Sequence, residues 1–270
     1  MNKEGFIVDS GGKRLARSMG ENKCRLGCIY CFVDLPGYQK FDRVDSQEGI
    51  ESLSYVIEKG NIKVIQPACD VEIFLVRNWE EVLWDLADFG LPISFATKFA
   101  LSQRSLEQLK FIDDKLKEKG AFLNIAVSLV RLNNWREIEK FTPSPERRVQ
   151  TARRLWEAGI SVTIALRPTL PFVPLEEFEE IIQKTVPFCD NFITGPLYLT
   201  STMKEYMDEK YPGYKVELVN PSWMKGRPEI EAVNTDGIIA WIREICARYS
   251  KPCFDHNIEA VEYSASLRRK

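Results

Sequence analysis

The 270-residue sequence has little of what crosses membranes, coats nucleic acids or staples small secreted folds. No segment approaches the roughly 18 uninterrupted apolar residues of a membrane span, and Met1 to Ser10 holds no apolar core of signal-peptide length. A reducing cytoplasm is therefore the expected setting. Excess charge of one sign is also missing, since 37 Lys and Arg stand against 39 Asp and Glu for a net charge of −2. That balance removes the general electrostatic pull of a nucleic-acid coat protein, although a local basic groove stays open. There is no internal repeat, low-complexity tract or long charge run, and His256 is the single histidine. Seven cysteines are an odd number and too sparse for a disulfide scaffold, and 44% hydrophobic residues exclude intrinsic disorder. The length fits one large domain or two small ones.

What is present is an alternation of short apolar runs with stretches of helical period. Ile62 to Ala68, Pro92 to Thr97, Phe122 to Leu129, Ser161 to Leu166 and Asn191 to Leu199 read as strands. Between them, Trp79 to Phe89, Ser105 to Lys117, the Ser144-capped stretch ending at Gly159, and Leu175 to Thr185 read as helices. Val149, Ala152, Leu155 and Trp156 are the expected buried stripe of the third. The first 15 or so residues and 211–234 read as irregular, Asp236 to Tyr249 as a further helix, and Cys253 to Ile258 as an edge strand. Strands alternating with helices imply parallel pairing, in either an open doubly wound sheet or a barrel.

Three of the cysteines fall within eight positions, Cys24-Arg-Leu-Gly-Cys28-Ile-Tyr-Cys31. In a reducing compartment such crowding points to metal, with Gly27 letting the backbone pass close to the centre. Structural zinc would need a fourth ligand, for which Cys69, Cys189, Cys246, Cys253 and His256 are available, though none lies in a second closely spaced pair. An iron–sulfur cube held by three cysteines leaves one iron open, and the spacing favours that reading. Cys189, Cys246 and Cys253, widely spaced, read as structural thiols.

The C-x3-C-x2-C loop, with Tyr30 as the aromatic before its last cysteine, resembles the hallmark of the radical S-adenosylmethionine (SAM) superfamily. Further stretches resemble its spore photoproduct lyase and DNA repair photolyase-like branch: Pro67-Ala-Cys-Asp-Val-Glu72, Phe95-Ala-Thr-Lys98, and Phe141-Thr-Pro-Ser-Pro-Glu-Arg-Arg148 followed by Ala158-Gly159-Ile160. Together they cover roughly Arg17 to Leu199. The resemblance implies an α/β fold, a partial (β/α)6 TIM-like barrel over residues 1–210, with 211–270 as a short C-terminal extension packed on it. It implies a 4Fe-4S cluster on Cys24, Cys28 and Cys31, whose open iron is chelated by SAM. Reductive cleavage of SAM then frees a 5′-deoxyadenosyl radical that abstracts hydrogen from the substrate, with an electron donor such as flavodoxin or ferredoxin as partner.

Chemistry in such barrels gathers at the C-terminal strand ends. Asp70 or Glu72 is expected to accept from the methionyl ammonium, or else to be a solvated loop acid. Lys98 is expected to pair with the methionyl carboxylate, or to snorkel at the rim. Ser128 could hold ribose or carboxylate, or bond its own backbone. Arg167 offers a fork of donors for an anion, or a salt bridge across the mouth. Tyr30 is expected near the adenine and Phe32 to pack the loop on the barrel. Cys69 matches the lyase cysteine that returns hydrogen to the product radical, and its plain alternative is a small apolar filler.

The function implied is hydrogen abstraction by a radical SAM enzyme, with spore photoproduct lyase-like repair of damaged DNA as one substrate class. Arg147, Arg148, Arg153 and Arg154 on one helix add to that motive. A radical SAM enzyme acting on a small molecule or peptide is the alternative, and a zinc-binding interaction module is the reading from another class.

Overall fold

The computed structural model describes residues 6–9, 12–18, 24–38, 47–221, 224 and 229–268. The N-terminal stretch expected to be irregular contains a hairpin, β1 (Phe6–Asp9) and β2 (Arg14–Arg17), whose turn passes through Gly12 at φ +84°. Four-residue strands broken by charge are too short to show a period, which is why the sequence hides them. After the cysteine loop come α1 (Gln47–Lys59), β3 (Val64–Gln66), α2 (Trp79–Leu86), β4 (Ile93–Thr97), α3 (Gln103–Glu118), β5 (Leu123–Ser128), α4 (Pro145–Glu157), β6 (Ser161–Ala165), α5 (Leu175–Thr185) and β7 (Asn191–Ile193). The chain continues through β8 (Leu197–Tyr198), α6 (Ser201–Lys210), β9 (Val216–Val219), β10 (Ile230–Val233), α7 (Asp236–Arg248), β11 (Cys253–Phe254) and α8 (Asn257–Arg268).

Strands β1 to β7 and then β11 form one sheet in that order, antiparallel at β1–β2 and parallel from β2 onward. The sheet curls into a half barrel, so the partial TIM-like barrel expected from the cysteine loop is the fold observed. Among the described residues no helix is long and apolar enough to cross a membrane.

Three expected elements differ. The strand read over Asn191 to Leu199 breaks into β7 and β8 at Gly195 and Pro196, because proline offers no N–H to a ladder. The stretch 211–234, read as irregular, holds β9 and β10, which pair with β8 in a separate three-stranded sheet ordered β8-β10-β9. Cys253 to Ile258, read as a strand, is extended only over β11 before Asn257 opens α8.

Helices α2 to α5 and α7 cover the outer face through apolar stripes. In α4 that stripe is rotated from expectation, with Arg148, Thr151, Ala152 and Leu155 buried and Trp156 exposed. Positions i, i+3, i+4 and i+7 define one face, and Arg148 occupies its first place.

The inner face is layered. At the bottom Asn124 hydrogen-bonds Ser94, Ser161 and Thr163, while α8 enters with Asn257 on Ser94 and Ser264 on Asn191. Above lies an apolar layer, Ala126, Ala165 and Ile193, packed on Ala260 of α8. Two residues further along each strand, on the same face, come Ser128, Arg167 and Gly195, and from β4 Lys98. The helix α8 thus stoppers the bottom, and the strand ends leave the top open.

Candidate functional site

The cysteine loop lies at this open end and is fastened by backbone bonds. Ile29 N–H donates to Ile138 O at 3.0 Å, Phe141 N–H donates to Leu26 O at 3.0 Å, and Cys28 bridges Glu139. Thr200 Oγ1 donates to Ile29 O at 2.7 Å from the start of α6. Gly27 turns the loop at φ +65°, where a Cβ would stand 3.0 Å from the Phe141 ring. Phe32, expected on the barrel, packs instead with Leu35, Tyr38, Met224 and Ile230, tying the loop to the three-stranded sheet.

Cys24, Cys28 and Cys31 are free, half-buried thiols. Burial pushes the Cys28 thiol up to about 12, with Lys98 opposing and Glu139, Cys31 and Cys24 adding to the rise. Burial likewise raises Cys31, against a hydrogen bond from the Val33 backbone. Among the described residues no three His, Cys, Asp or Glu side chains are gathered tightly enough to hold a single ion. Three free thiols on one short loop match in number and type the protein ligands of an open-site iron–sulfur cluster.

Behind the loop sits a buried ionic group that the sequence reading missed. Glu139 is fully buried, accepts from the Tyr30 hydroxyl, and pairs with Arg148 at 2.7 Å and with Lys98 at 3.9 Å. Arg148, also fully buried, donates through Nη1 to Ser128 O at 2.9 Å. Lys98 Nζ lies 5.5 Å from the centre of the Tyr30 ring. Burial works against the Lys98 charge, but Cys28, Glu139 and Glu72 outweigh it and hold the ammonium above the ordinary lysine range. Burial, with Glu139 and Cys28, raises the Tyr30 phenol well above its usual value, so it stays protonated as donor to Glu139.

Neither acid after β3 is a solvated loop residue. Asp70 accepts from Ser18 Oγ at 2.8 Å, and Glu72 accepts from Thr97 Oγ1 at 2.7 Å and from the Lys98 N–H at 2.9 Å. Burial raises the Glu72 carboxyl despite those bonds. Ala68, at φ +54°, turns the chain into Cys69, a strained conformation for alanine. Cys69 N–H donates to Arg17 O at 3.2 Å, and its half-buried thiol, with Asp70 and Cys31, adds to the burial that drives the Tyr38 phenol upward. Cys69 and the cysteine loop therefore share a neighbour, Tyr38, that no spacing announced.

Ser128 does not bond its own backbone; among the described residues its buried hydroxyl has no hydrogen-bond partner. Arg167 lies across Gly195, where a Cβ would come within 2.7 Å of Nε, and it hydrogen-bonds Tyr198. Burial, with Arg14 nearby, lowers its pKa. The helix arginines do not form a free basic face. Arg148 is buried, Arg153 pairs with Glu157 at 2.7 Å, and Arg154 donates to Leu101 O and Gln103. Only Arg147 of the four is both exposed and uncommitted among the described residues.

Cys189, Cys246 and Cys253, distant in sequence, are gathered by the fold. Cys246 hydrogen-bonds Cys253, which holds the Cys253 thiol below its ordinary range and Cys246 above. Cys189 lies near enough to add to the rise at Cys246. His256 is exposed just before the start of α8.

The chain is a curled parallel half barrel with a three-cysteine loop at its open end. Among solved structures it is similar to spore photoproduct lyase with bound AdoMet and dinucleoside spore photoproduct, at TM-score 0.68 and 15% identity over 94% of this chain and 79% of that one. It is also similar to Streptococcus suis SuiB bound to precursor peptide SuiA, at TM-score 0.59 and 10% identity over 98% of this chain and 53% of that one. An uncharacterized protein of Methanocaldococcus jannaschii is 29% identical over 155 residues, 55% of this chain and 54% of the relative. The chain thus matches about half the length of that curated relative. No family model matches the sequence.

Proposed function

We propose that this chain is a radical SAM enzyme. The observation that carries the reading is the set of three free thiols held across the open end of the half barrel, against the buried cation Lys98. Cys24, Cys28 and Cys31 would hold the 4Fe-4S cluster. When bound, the cluster and SAM would supply a 5′-deoxyadenosyl radical.

The protein's own share is to bind and orient SAM. Lys98, paired with Glu139 at 3.9 Å, suits the methionyl carboxylate, and the acidic pair Asp70 and Glu72 suits the ammonium. Of the two, Glu72 already accepts two bonds that lock the end of β4, so it also fixes where Lys98 stands. The unsatisfied Ser128 hydroxyl faces the lumen and offers a hydrogen bond to ribose or carboxylate. Arg167, laid over Gly195 two positions beyond Ala165, offers an anion site on the same face, while Tyr30 buttresses Lys98 and Glu139 from beneath the loop. Cys69 is the candidate for returning hydrogen to the product.

On substrate, a spore photoproduct lyase-like repair reaction is the first reading, supported by Cys69 standing beside the neighbourhood of the thiol loop. A small molecule or peptide is the second, favoured by the commitment of Arg148, Arg153 and Arg154 to internal partners. Cytoplasm suits an oxygen-sensitive cluster under either reading. Anaerobic incubation with dithionite, SAM deuterated at the 5′ carbon, and either a dinucleoside photoproduct or peptide and small-molecule candidates tests both. Substrate-dependent 5′-deoxyadenosine carrying one substrate hydrogen beside its two deuterium atoms is the expected result, with the product unlabelled because its hydrogen returns through Cys69. Stoichiometric zinc with no iron would overturn the enzyme reading in favour of a zinc module.

Two variants test roles. Lys98→Ala is expected to weaken SAM binding roughly ten- to a hundred-fold, the worth of a charged hydrogen bond, with the cluster absorbance retained. Equilibrium binding of labelled SAM checks this, and unchanged affinity returns Lys98 to a purely structural place. With Cys69→Ala, 5′-deoxyadenosine should still form while repaired product fails to accumulate; product at the wild-type rate removes Cys69 from hydrogen return.

A further inference from the structure

We propose that the cleft lined by Trp135, Arg136, Lys140, Phe141 and Arg147 is the docking site of an acidic protein that carries single electrons and reduces the metal group of the thiol loop. The inference rests on the function proposed above and assigns its electron-donor partner a place on the surface.

The cleft has a volume of about 560 Å³ and runs along the outside of the 135–147 segment. That segment is a partition. Glu139 points inward to Tyr30, Lys98 and Arg148, while Lys140 and Phe141, which follow it, are exposed. Phe141 is 62% exposed, yet its ring lies 3.0 Å from where a Gly27 Cβ would stand, and its N–H bonds Leu26 O. The cleft therefore comes within one backbone thickness of the loop between Cys24 and Cys28, from the side opposite the lumen. A partner seated there leaves the open strand ends to SAM and substrate.

The charge on this surface is uncommitted. Arg136, Lys140 and Arg147 make no ion pair among the described residues, whereas Arg131 and Arg148 on the adjoining chain pair with Glu137 and Glu139. Arg136 rests over Trp135 at 5.3 Å and Lys140 over Phe141 at 5.4 Å, which presents cations and aromatic faces together. Arginine with exposed aromatics is the composition of protein interface centres, and small charge-steered interfaces suit transient electron carriers. A nucleic acid would need a longer cationic track. The residues that would extend one along α4, Arg153 and Arg154, are spent on Glu157, Leu101 and Gln103.

In the step assigned to this surface, the carrier's fully reduced flavin is oxidised by one electron and the iron–sulfur group takes that electron; no atom changes hands.

The test uses the full chain, reconstituted anaerobically with iron and sulfide, and an acidic flavodoxin as probe. In the triple variant Arg136→Glu, Lys140→Glu, Arg147→Glu the flavodoxin Kd is expected to rise at least about ten-fold at low salt and to lose its salt dependence. Flavodoxin-driven reduction should slow in parallel, and dithionite-driven reduction should keep its wild-type rate. Unchanged flavodoxin binding and reduction overturn the proposal. So does weakened binding of a single-stranded oligonucleotide with flavodoxin unaffected, which would give the cleft to nucleic acid. If the wild type holds no iron, the enzyme reading fails on its own, and the flavodoxin titration of the metal-free chain still decides the surface. The milder pair Lys140→Ala, Arg147→Ala, checked for an unchanged circular dichroism spectrum, answers the same question should the triple variant misfold.

Discussion

Cys28→Ala protein is expected to leave anaerobic reconstitution colourless, with iron falling from about four atoms per chain to background, and to form no 5′-deoxyadenosine. Cys28 is the loop thiol most penalised by burial, which holds it up to about 12 in the free protein. A thiol in that environment gains little from ionising alone and much from ionising onto metal, so its removal deletes the ligand most dependent on the cluster. The loop itself should survive, since Ile29, Leu26 and Thr200 fasten it through bonds that do not involve the Cys28 side chain. Iron and sulfide analysis, visible absorbance and 5′-deoxyadenosine yield check the three parts. Full iron loading with full SAM cleavage would show that the loop holds no cluster.

Arg148→Met is the substitution expected to cost most in stability. Met matches much of the volume but leaves Glu139 fully buried with one cation at 3.9 Å in place of two, and leaves Ser128 O without its donor. Breaking a buried ion pair from one side costs about 3–5 kcal/mol. In a chain of this size the melting temperature should fall by roughly 10 °C. The paired change Arg148→Met with Glu139→Gln, which removes the stranded charge, should recover a large part of the loss. Thermal unfolding of the three proteins checks this, and an unchanged melting temperature in Arg148→Met would mean that the pair adds nothing to the fold. Arg148→Lys is expected to fall between, because a single ammonium cannot serve both Glu139 and Ser128 O as the guanidinium fork does.

The parts of the molecule legible in the sequence were those with a strong period or a strong motif. Strands β3 to β6 and helices α2 to α5 show themselves because each buries one stripe or one continuous run. Helix α8 does not, because it lies inside the half barrel and buries Ile258, Ala260, Val261 and Ser264 on more than one side, which leaves no single apolar stripe. Strands β9 and β10 escape for the opposite reason, since β9 is largely exposed and pairs at the edge of a small sheet. In α4, choosing Val149 and Trp156 for the core put Arg148 outside. Starting instead from Ala152 and Leu155 and stepping back by four places Arg148 and Thr151 on the buried face, a signal the sequence does contain. Glu139 had no such signal. It sits among Arg136, Glu137 and Lys140, and only the bridge to Cys28 separates it from its solvated neighbours. Tyr38 is likewise defined by Cys69, Asp70 and Cys31, which only folding brings together.

The fastening of the cysteine loop has a consequence for upkeep. Its backbone is tied to Ile138, Phe141 and Thr200 by bonds that involve no cysteine side chain, so under the proposed function little of the loop would have to be ordered when iron arrived. Under the function proposed above, oxygen that stripped the iron would remove a part rather than collapse the holder, and the protein left behind would be a ready template for refilling instead of a substrate for proteolysis.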